Sequence, residues 1–278
     1  MTELLKLAEQ VKSIVKNAAK LMRTESFSIT EKEGKSYNIV TSADVAVQDF
    51  LQKELLTLLP CSGFLGEENR QDDSEKELCW IVDPIDGTAN FARGMKQSGI
   101  SVALRKGIEL VLGVVYNPEL DDMFLAVKGG GAFLNGKKIS VSDRDFEHSI
   151  VCTALCLYRK SYTDMCCDIL RTLHKECADF RRFGAASLEL CYLALGRIEL
   201  FFELRLFPWD FAAGAVILRE AGGTIGTVKW DGNGAHFSDK LVLDGPSPLI
   251  AANCCDNLHK ISEIVIKNMT NFNPLEYN

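Results

Sequence analysis

Two carboxylates close together in the middle of the chain have the type and spacing to hold a hard cation. The segment Trp80-Ile-Val-Asp-Pro-Ile-Asp-Gly-Thr88 begins as an apolar run and places Asp83 and Asp86 three residues apart. Proline keeps the residue before it extended, so Asp83 is predicted to end a buried strand. Gly87 then allows a helix to begin with its N–H groups facing both carboxylates. This arrangement predicts a divalent cation on one side and a phosphate on the other.

Two further acidic segments also lie at the ends of predicted elements. Glu67 and Glu68 directly follow a short apolar strand, and Asp210 follows Pro208-Trp209 at a helix start. Each motif has an ordinary explanation when taken alone, because acids are common in solvated loops, in Asx turns and in the first turn of a helix. The combination of the three motifs is what favours one shared site.

Composition limits the classes of function. The chain has 278 residues and a net charge of −7, with 47% hydrophobic and 25% charged residues, which is typical of a globular protein. The negative charge argues against non-specific nucleic-acid binding, which needs clustered Lys and Arg. No apolar run approaches the roughly 20 residues of a membrane span, and no export signal is apparent. The ten cysteines form no C-x-x-C pair, so they are predicted to be reduced thiols in a cytoplasmic protein.

Hydrophobic periodicity predicts the elements that must position the acids. A helix is expected over about 3–24, and a second helix from Thr41-Ser42 to Pro60 carries Asp44 in its first turn. The β-rich stretch that follows includes a strong hairpin signal at Asn135-Gly136. Its strands are predicted over 63–66, 78–83, 98–105, 110–116 and 123–127.

The second half alternates strands with helices. This order favours stacked α and β layers over a simple doubly wound sheet. We expect one compact catalytic unit with a half over 1–144 that carries most of the metal ligands, and a half over 145–278 that carries Asp210 and the substrate-side residues. The expected strands lie near 150, 180–182, 198–203, 224–228 and 249–252, and the expected helices cover about 161–177, 185–196, 209–221 and 256–268.

Three motifs, in this order, resemble the inositol monophosphatase family of magnesium-dependent phosphatases. They are W-I-V-D-P-I-D-G-T-A-N-F at 80–91, W-D-x-A-A-G at 209–214 and E-A-G-G at 220–223. The resemblance covers almost the whole chain and looks closest to bacterial cytoplasmic members. It implies an α/β fold, the αβαβα sandwich shared with fructose-1,6-bisphosphatase. It also implies lithium sensitivity and, commonly, a homodimer.

The resemblance also assigns roles to single residues. It implies that Thr88, paired with Asp44, orients or activates the attacking water beside Glu67, and that a loop with Lys35 is a mobile flap. An ordinary flexible connector is the alternative for that loop. The implied metal ligands are Glu67, Asp83, Asp86, Asp210 and the main-chain carbonyl of Ile85; the implied substrate contacts are Gly87, Thr88, Gly184, Ala185, Ala186, Glu203 and Asp210.

The chemistry of these ligands agrees with magnesium. All are oxygen donors, and no His or Cys falls in the motifs, so Mg²⁺ or its substitute Mn²⁺ is expected rather than zinc. Four carboxylates with two or three Mg²⁺ per subunit give the pocket a formal net charge between zero and about +2, so it can accept a phosphate dianion. The ions would lower the pKa of a water that attacks phosphorus in line, with no enzyme nucleophile.

Two departures from the family pattern bear on the substrate. Ala185 stands where the family usually has Ser or Thr, and Phe207 stands where bacterial members often carry Lys or Arg, with Arg205 two residues earlier. We expect a small phosphate ester as substrate, first an inositol monophosphate, and no nucleic-acid or membrane partner. Fructose 1,6-bisphosphate, histidinol phosphate and nucleotide or sugar phosphates are the alternatives. A regulatory module that binds a partner protein is the alternative from another class.

Overall fold

Seven α-helices, a short ladder and two large β-sheets make up the parts of the chain that the computed structural model describes. These parts are residues 2–23, 27–32, 38–68, 75–156, 159–231 and 234–269. The ladder pairs β1 (Ile29–Glu31) with β2 (Ile39–Thr41) in antiparallel fashion. The helices are α1 (Thr2–Ala18), α2 (Ser42–Leu58), α3 (Thr88–Ala92), α4 (Thr163–Glu176), α5 (Ala186–Ala194), α6 (Pro208–Glu220) and α7 (Cys255–Asn268).

The first large sheet has seven strands that lie side by side in chain order. Its first two strands are parallel and all other neighbours are antiparallel. The strands are β3 (Gly63–Gly66), β4 (Leu78–Asp86), β5 (Gly99–Lys106), β6 (Glu109–Asn117), β7 (Asp122–Val127), β8 (Gly131–Leu134) and β9 (Lys137–Ile139).

The second large sheet has six strands: β10 (Ile150–Thr153), β11 (Asp179–Arg181), β12 (Leu200–Leu206), β13 (Thr224–Asp231), β14 (Gly234–Ser238) and β15 (Ser247–Ala252). Their spatial order is β11-β10-β12-β15-β13-β14. The first three strands of this order are parallel, and the remaining neighbours are antiparallel. The carboxyl ends of β10, β11 and β12 therefore meet at one edge of the sheet.

The helices and sheets stack in five layers. Helices α1 and α2 bury Val11, Val15 and Leu51 against one face of the seven-stranded sheet. Helices α5 and α6 lie between the two sheets, and α4 and α7 cover the far face of the six-stranded sheet. The predicted αβαβα sandwich is therefore confirmed. No helix in the described ranges combines the length and the hydropathy of a membrane span.

The small residues of the central layer explain part of the W-D-x-A-A-G motif. A side chain at Gly113 on β6 would place its Cβ 2.4 Å from the Ala213 carbonyl oxygen on α6. A Cβ at Gly214 would lie 2.7 Å from that of Leu190 on α5. The backbone of α6 thus packs directly on both neighbours, which fixes the start of α6, where Asp210 lies.

The structure corrects two of the expected boundaries. Helix α1 ends at Ala18, and a short 3₁₀ helix over Leu21–Arg23 follows in place of a continuous helix to 24. Strand β4 does not end at Asp83 but continues through Pro84 to Asp86, with a shift of register against β5 between the two acids. Proline has no N–H to donate to the ladder, which accounts for an irregularity at this point.

The other expected helices and strands are present with ends shifted by a few residues, and β1, β2 and β14 are additions. All ten cysteines lie in described residues and are free thiols. The division between 1–144 and 145–278 stays a prediction; the seven-stranded sheet ends at Ile139 and the six-stranded sheet begins at Ile150.

Candidate active site

A cleft of about 150 Å³ brings together residues that are far apart in the sequence. Of the expected site residues, Asp44 and Ala185 are buried beside the cleft rather than in its lining, and Lys35 lies outside the described residues. The expected residues that line the cleft are Glu67, Asp83, Ile85, Asp86, Gly87, Thr88, Gly184, Ala186, Glu203 and Asp210.

The end of β4 supplies two buried carboxylates. Asp83 Oδ1 accepts a hydrogen bond from the Ile85 N–H at 3.0 Å, so the Asx-type contact considered for this residue does form. Asp86 Oδ2 accepts the N–H of Ser187 at 2.7 Å, from the first turn of α5. Because this donor belongs to the second half of the chain, the position of Asp86 depends on contacts between both halves.

Asp44 fixes the hydroxyl of Thr88. One oxygen of Asp44 accepts from the N–H and hydroxyl of Thr41, which caps α2, and Thr88 Oγ1 lies 3.1 Å from the other. Thr88 Oγ1 is also 3.1 Å from the carbonyl oxygen of Ile85. These two acceptors compete for the single hydroxyl proton, so the Thr88 oxygen remains able to accept a hydrogen bond from a water.

Gly87 forms the corner between β4 and the five-residue helix α3. Its φ of +83° is one that other residues adopt only with strain, and a Cβ there would lie 2.8 Å from the Gln97 carbonyl oxygen. Asn90 on α3 donates from Nδ2 to Gln97 O at 2.7 Å and to Phe183 O at 2.6 Å. The corner is thereby joined to the turn that precedes α5.

The other two acids come from elements outside β4. Glu67 follows β3, and its N–H donates to the Val82 carbonyl oxygen at 3.2 Å. Asp210 lies in the first turn of α6, where Oδ2 accepts the Phe207 N–H at 2.7 Å. Lys32 places Nζ 3.0 Å from Glu67 Oε1 and also contacts Glu68. The sequence did not predict the contact of Lys32 with Glu67, because the two residues are far apart in the chain and no local pattern joins them.

Three acids of the cleft, Asp83, Asp86 and Asp210, hold protons more tightly than ordinary carboxylates. Burial, followed by repulsion from Glu67 and Asp86, raises the pKa of Asp83 well above its usual range. Burial also raises the pKa of Asp86 to about 6, although the hydrogen bonds from Ser187 act to lower it. Burial is also the largest cause that raises the pKa of Asp210, and repulsion from Glu67 is the second. Such a group favours a bound proton or a bound cation.

The donors fit a hard divalent cation. Carboxylate oxygens and the Ile85 carbonyl are ligands that suit Mg²⁺ or Mn²⁺, and no His lines this cleft within the described chain. Across the described ranges, no three His, Cys, Asp or Glu side chains already stand in coordination geometry. A cation would therefore have to draw the acids closer together from the positions that they occupy.

Sequence reasoning also missed a buried carboxylate beneath the cleft. Glu189 Oε1 accepts the N–H groups of Phe183 and Gly184 at 2.7 and 2.8 Å, and burial raises the pKa of Glu189 to about 7. The available signal was a single acid in the otherwise apolar helix ASLELCYLA. Arg182 and Arg205 line the cleft as well, and neither was expected to bind substrate.

Comparisons with a family model and with curated relatives agree on one protein family. The chain matches the model of the inositol monophosphatase family over residues 1–263. It is 36% identical over 230 residues to the Escherichia coli (strain K12) Nus factor SuhB, covering 80% of this chain and 85% of that protein. It is 40% identical over 186 residues to the Rhizobium meliloti inositol-1-monophosphatase, covering 66% of this chain and 70% of that enzyme.

A solved structure agrees. The Thermotoga maritima IMPase superposes with a TM-score of 0.79 at 27% identity, covering 98% of this chain and all of that one. Taken with the match of the family model to nearly the whole chain, this places the protein in the inositol monophosphatase family.

Proposed function

We propose that this protein is a Mg²⁺-dependent phosphatase that hydrolyses a small phosphate monoester, with inositol monophosphate as the first candidate. The observation that carries the proposal is the lining of one cleft by Glu67, Asp83, Asp86 and Asp210, next to the glycine corner at Gly87. Membership of the family supports phosphatase activity, and the family is generally Mg²⁺-dependent.

In this proposal the four carboxylates and the Ile85 carbonyl hold two or three ions. When bound, the ions supply positive charge for the phosphate and lower the pKa of a nearby water. Thr88 orients that water through its hydroxyl oxygen, and buried Asp44 keeps the hydroxyl proton turned away from it. The main-chain N–H groups of Gly87 and Thr88 bind phosphoryl oxygens. The chain supplies no covalent nucleophile in this mechanism.

The alcohol portion of the substrate would lie against the second half of the chain. Gly184, Ala186 and Glu203 line that part of the cleft, and Ala185 is buried behind them. Ala185 offers no hydroxyl for the substrate, which keeps other sugar, nucleotide and histidinol phosphates as candidates. The Rhizobium relative is named an inositol-1-monophosphatase, which supports inositol phosphate as the first substrate to test.

A steady-state assay tests the proposal. Inositol 1-phosphate, glycerol 2-phosphate and p-nitrophenyl phosphate would be offered with Mg²⁺ and, separately, with EDTA. We expect phosphate release only with Mg²⁺, and its loss in Asp210→Asn. The matched control is Asp168→Asn, because Asp168 pairs with Arg171 on the surface of α4. Turnover that survives EDTA, or that survives in Asp210→Asn, contradicts the assignment of the site.

A second role has support in the names of the relatives. The Vibrio cholerae and Escherichia coli proteins are each called Nus factor SuhB, so a regulatory protein-binding role is the second candidate. Absence of all metal-dependent turnover in a protein that still takes up Mg²⁺ would favour it. A homodimer, a cytoplasmic location, lithium inhibition and the absence of nucleic-acid binding stay predictions. Sedimentation analysis checks the homodimer.

A further inference from the structure

The cleft is lined by two arginines, Arg182 and Arg205, as well as by acids. The main charges that act on Asp83 are those of other acids. Arg182 acts on Glu203, whose pKa is raised well above its usual range by burial and by repulsion from Glu189 and Asp210, with the Arg182 guanidinium acting in the opposite direction. Arg205 acts on Cys156, which also lines the cleft. The two arginines therefore belong with Glu203 and Cys156, and these four lining residues define what we call the arginine end of the cleft.

The arginine end is built from the carboxyl ends of three parallel strands. Residues 154–156 follow β10, Arg182 follows β11, and Arg205 lies near the end of β12. β10 pairs in parallel with both β11 and β12, so the three chain segments leave the sheet at one edge. Ligands of sheets with parallel strands bind at this kind of edge.

The sheet and its neighbours hold Arg205 in a defined place. Arg205 and Glu203 both lie on β12 and both line the cleft, at the point where the register of β12 against β15 shifts between Glu203 and Leu206. Its guanidinium lies 5.3 Å from the ring centre of Phe207, and that ring stacks on Trp209 at 4.8 Å. A planar guanidinium over an aromatic ring keeps its N–H groups directed outward around its edge.

We propose that the alcohol portion of the phosphate ester carries a second anionic group, a carboxylate or a phosphate, which Arg182 and Arg205 bind. This inference rests on the proposed phosphatase function, and it favours a doubly anionic ester over inositol monophosphate as the substrate. With Glu203, the three charged groups at this end sum formally to +1, which favours an anion over a neutral polyol. The guanidinium fork also matches the paired oxygens of a carboxylate or phosphate.

Two matched pairs of esters test the inference. The first compares 2-phosphoglycerate with glycerol 2-phosphate, which differ by a carboxylate in place of a hydroxymethyl group. The second compares fructose 1,6-bisphosphate with fructose 1-phosphate, which differ by one phosphate. We expect kcat/KM to favour the doubly anionic member of at least one pair by about tenfold or more, the effect of one charge-assisted hydrogen bond. The pair with the larger ratio identifies the second group.

Variants assign the preference to the two arginines. In Arg182→Gln and Arg205→Gln the ratio of kcat/KM within the favoured pair should fall towards one. Arg181→Gln is the matched control, because Arg181 pairs with exposed Asp179 and does not line the cleft. Its ratio should equal that of the unaltered protein. A preference that survives in both cleft variants overturns the inference.

These experiments distinguish a failure of the second anion site from a failure of the proposed phosphatase function. Equal kcat/KM within both pairs overturns the second anion site while Mg²⁺-dependent turnover still supports the phosphatase. If no ester is turned over, the phosphatase proposal fails, and calorimetry with Ca²⁺ and the same pairs decides on the site. Tighter binding of 2-phosphoglycerate or fructose 1,6-bisphosphate than of its partner supports the inference, and equal affinities overturn it.

Discussion

Asp86 and Glu189 are two buried carboxylates that differ in what they face. Burial is the largest cause that raises the pKa of each, to about 6 for Asp86 and about 7 for Glu189. Both accept main-chain N–H groups near the start of α5, Asp86 from Ser187 and Glu189 from Phe183 and Gly184. Asp86 lines the cleft among other acids, whereas Glu189 is not part of its lining.

The comparison shows that a raised pKa does not by itself identify a catalytic acid. Asp86 is surrounded by like charges that a cation would relieve, so its shift fits a ligand. Glu189 uses one oxygen to hold a turn in place, so its shift fits a positioning residue. Its other oxygen lacks a hydrogen-bond partner apart from the neighbouring Cys152 thiol. Substitution of the two acids should therefore give opposite patterns.

The largest contrast should appear in activity. Asp86→Asn keeps the size of the side chain but removes a proposed metal ligand, so Mg²⁺-dependent kcat/KM should fall by about a hundredfold or more, the scale seen when a main electrostatic group is lost. Glu189→Gln keeps the acceptor oxygen and should lose less than about tenfold. Comparable losses in the two variants would remove the distinction drawn between these acids.

The next contrast concerns stability. Glu189→Leu leaves the N–H groups of Phe183 and Gly184 without their acceptor, so the free energy of unfolding should fall by about 2–3 kcal/mol. Glu189→Gln retains an amide oxygen and is the conservative control. Asp86→Asn removes a repelling charge and should stabilise the metal-free protein. Urea unfolding in EDTA measures all three. A Leu variant as stable as the unaltered protein would show that the turn does not need Glu189.

A smaller contrast should appear in the dependence of stability on pH. Folding raises the pKa of Asp86 and Glu189, so between about pH 4 and 7 the folded protein holds protons that the unfolded chain has released. The stability that these groups contribute is present at low pH and is lost as the pH rises through that window. Asp86→Asn should flatten this fall mainly below pH 6, and Glu189→Gln up to about pH 7.

Melting temperatures in EDTA from pH 5 to 7.5 check this prediction. The slopes of the two variants are compared with that of the unaltered protein, which controls for every other titrating group. Identical slopes in all three proteins would show that neither carboxyl changes its proton affinity on folding.

The smallest expected effect concerns Lys32, which a cation at Glu67 would have to displace. The pair is partly exposed, with 22% of each side chain accessible, and such pairs contribute up to about 1 kcal/mol. Lys32→Gln should therefore tighten Mg²⁺ binding by at most about fivefold in calorimetry. Lys12→Gln, which breaks a pair with Glu9 on α1, is the control. Weaker Mg²⁺ binding in Lys32→Gln would mean that Lys32 assists the cation.

The sequence was informative wherever local chemistry decides structure. The capped start of α2, the hairpin turn at Asn135-Gly136 and the acids after β3 and at the start of α6 were all predicted, and Thr88 does contact Asp44. The resemblance supplied that pairing, because the two residues are 44 positions apart. The continuation of β4 past Pro84 was missed, since a proline ordinarily ends a ladder.

The remaining part of the site depends on contacts between distant segments. Arg182 reaches the cleft because β11 pairs in parallel with β10, and no local pattern fixes the order of strands in a sheet. Asn90 contacts Phe183 across 93 positions, and Ser187 contacts Asp86 across 101. Such pairs join the end of β4 and helix α3 to the turn and start of α5, and they are invisible in either segment alone.

These cross-chain hydrogen bonds have a consequence for protein synthesis. A nascent chain that has emerged from the ribosome only as far as the seven-stranded sheet already contains Glu67, Asp83 and Asp86. It still lacks the Ser187 donor that positions Asp86, and it lacks Asp210. The assembled cleft thus exists only in finished, correctly docked molecules, so unfinished chains would not hydrolyse cellular phosphate esters.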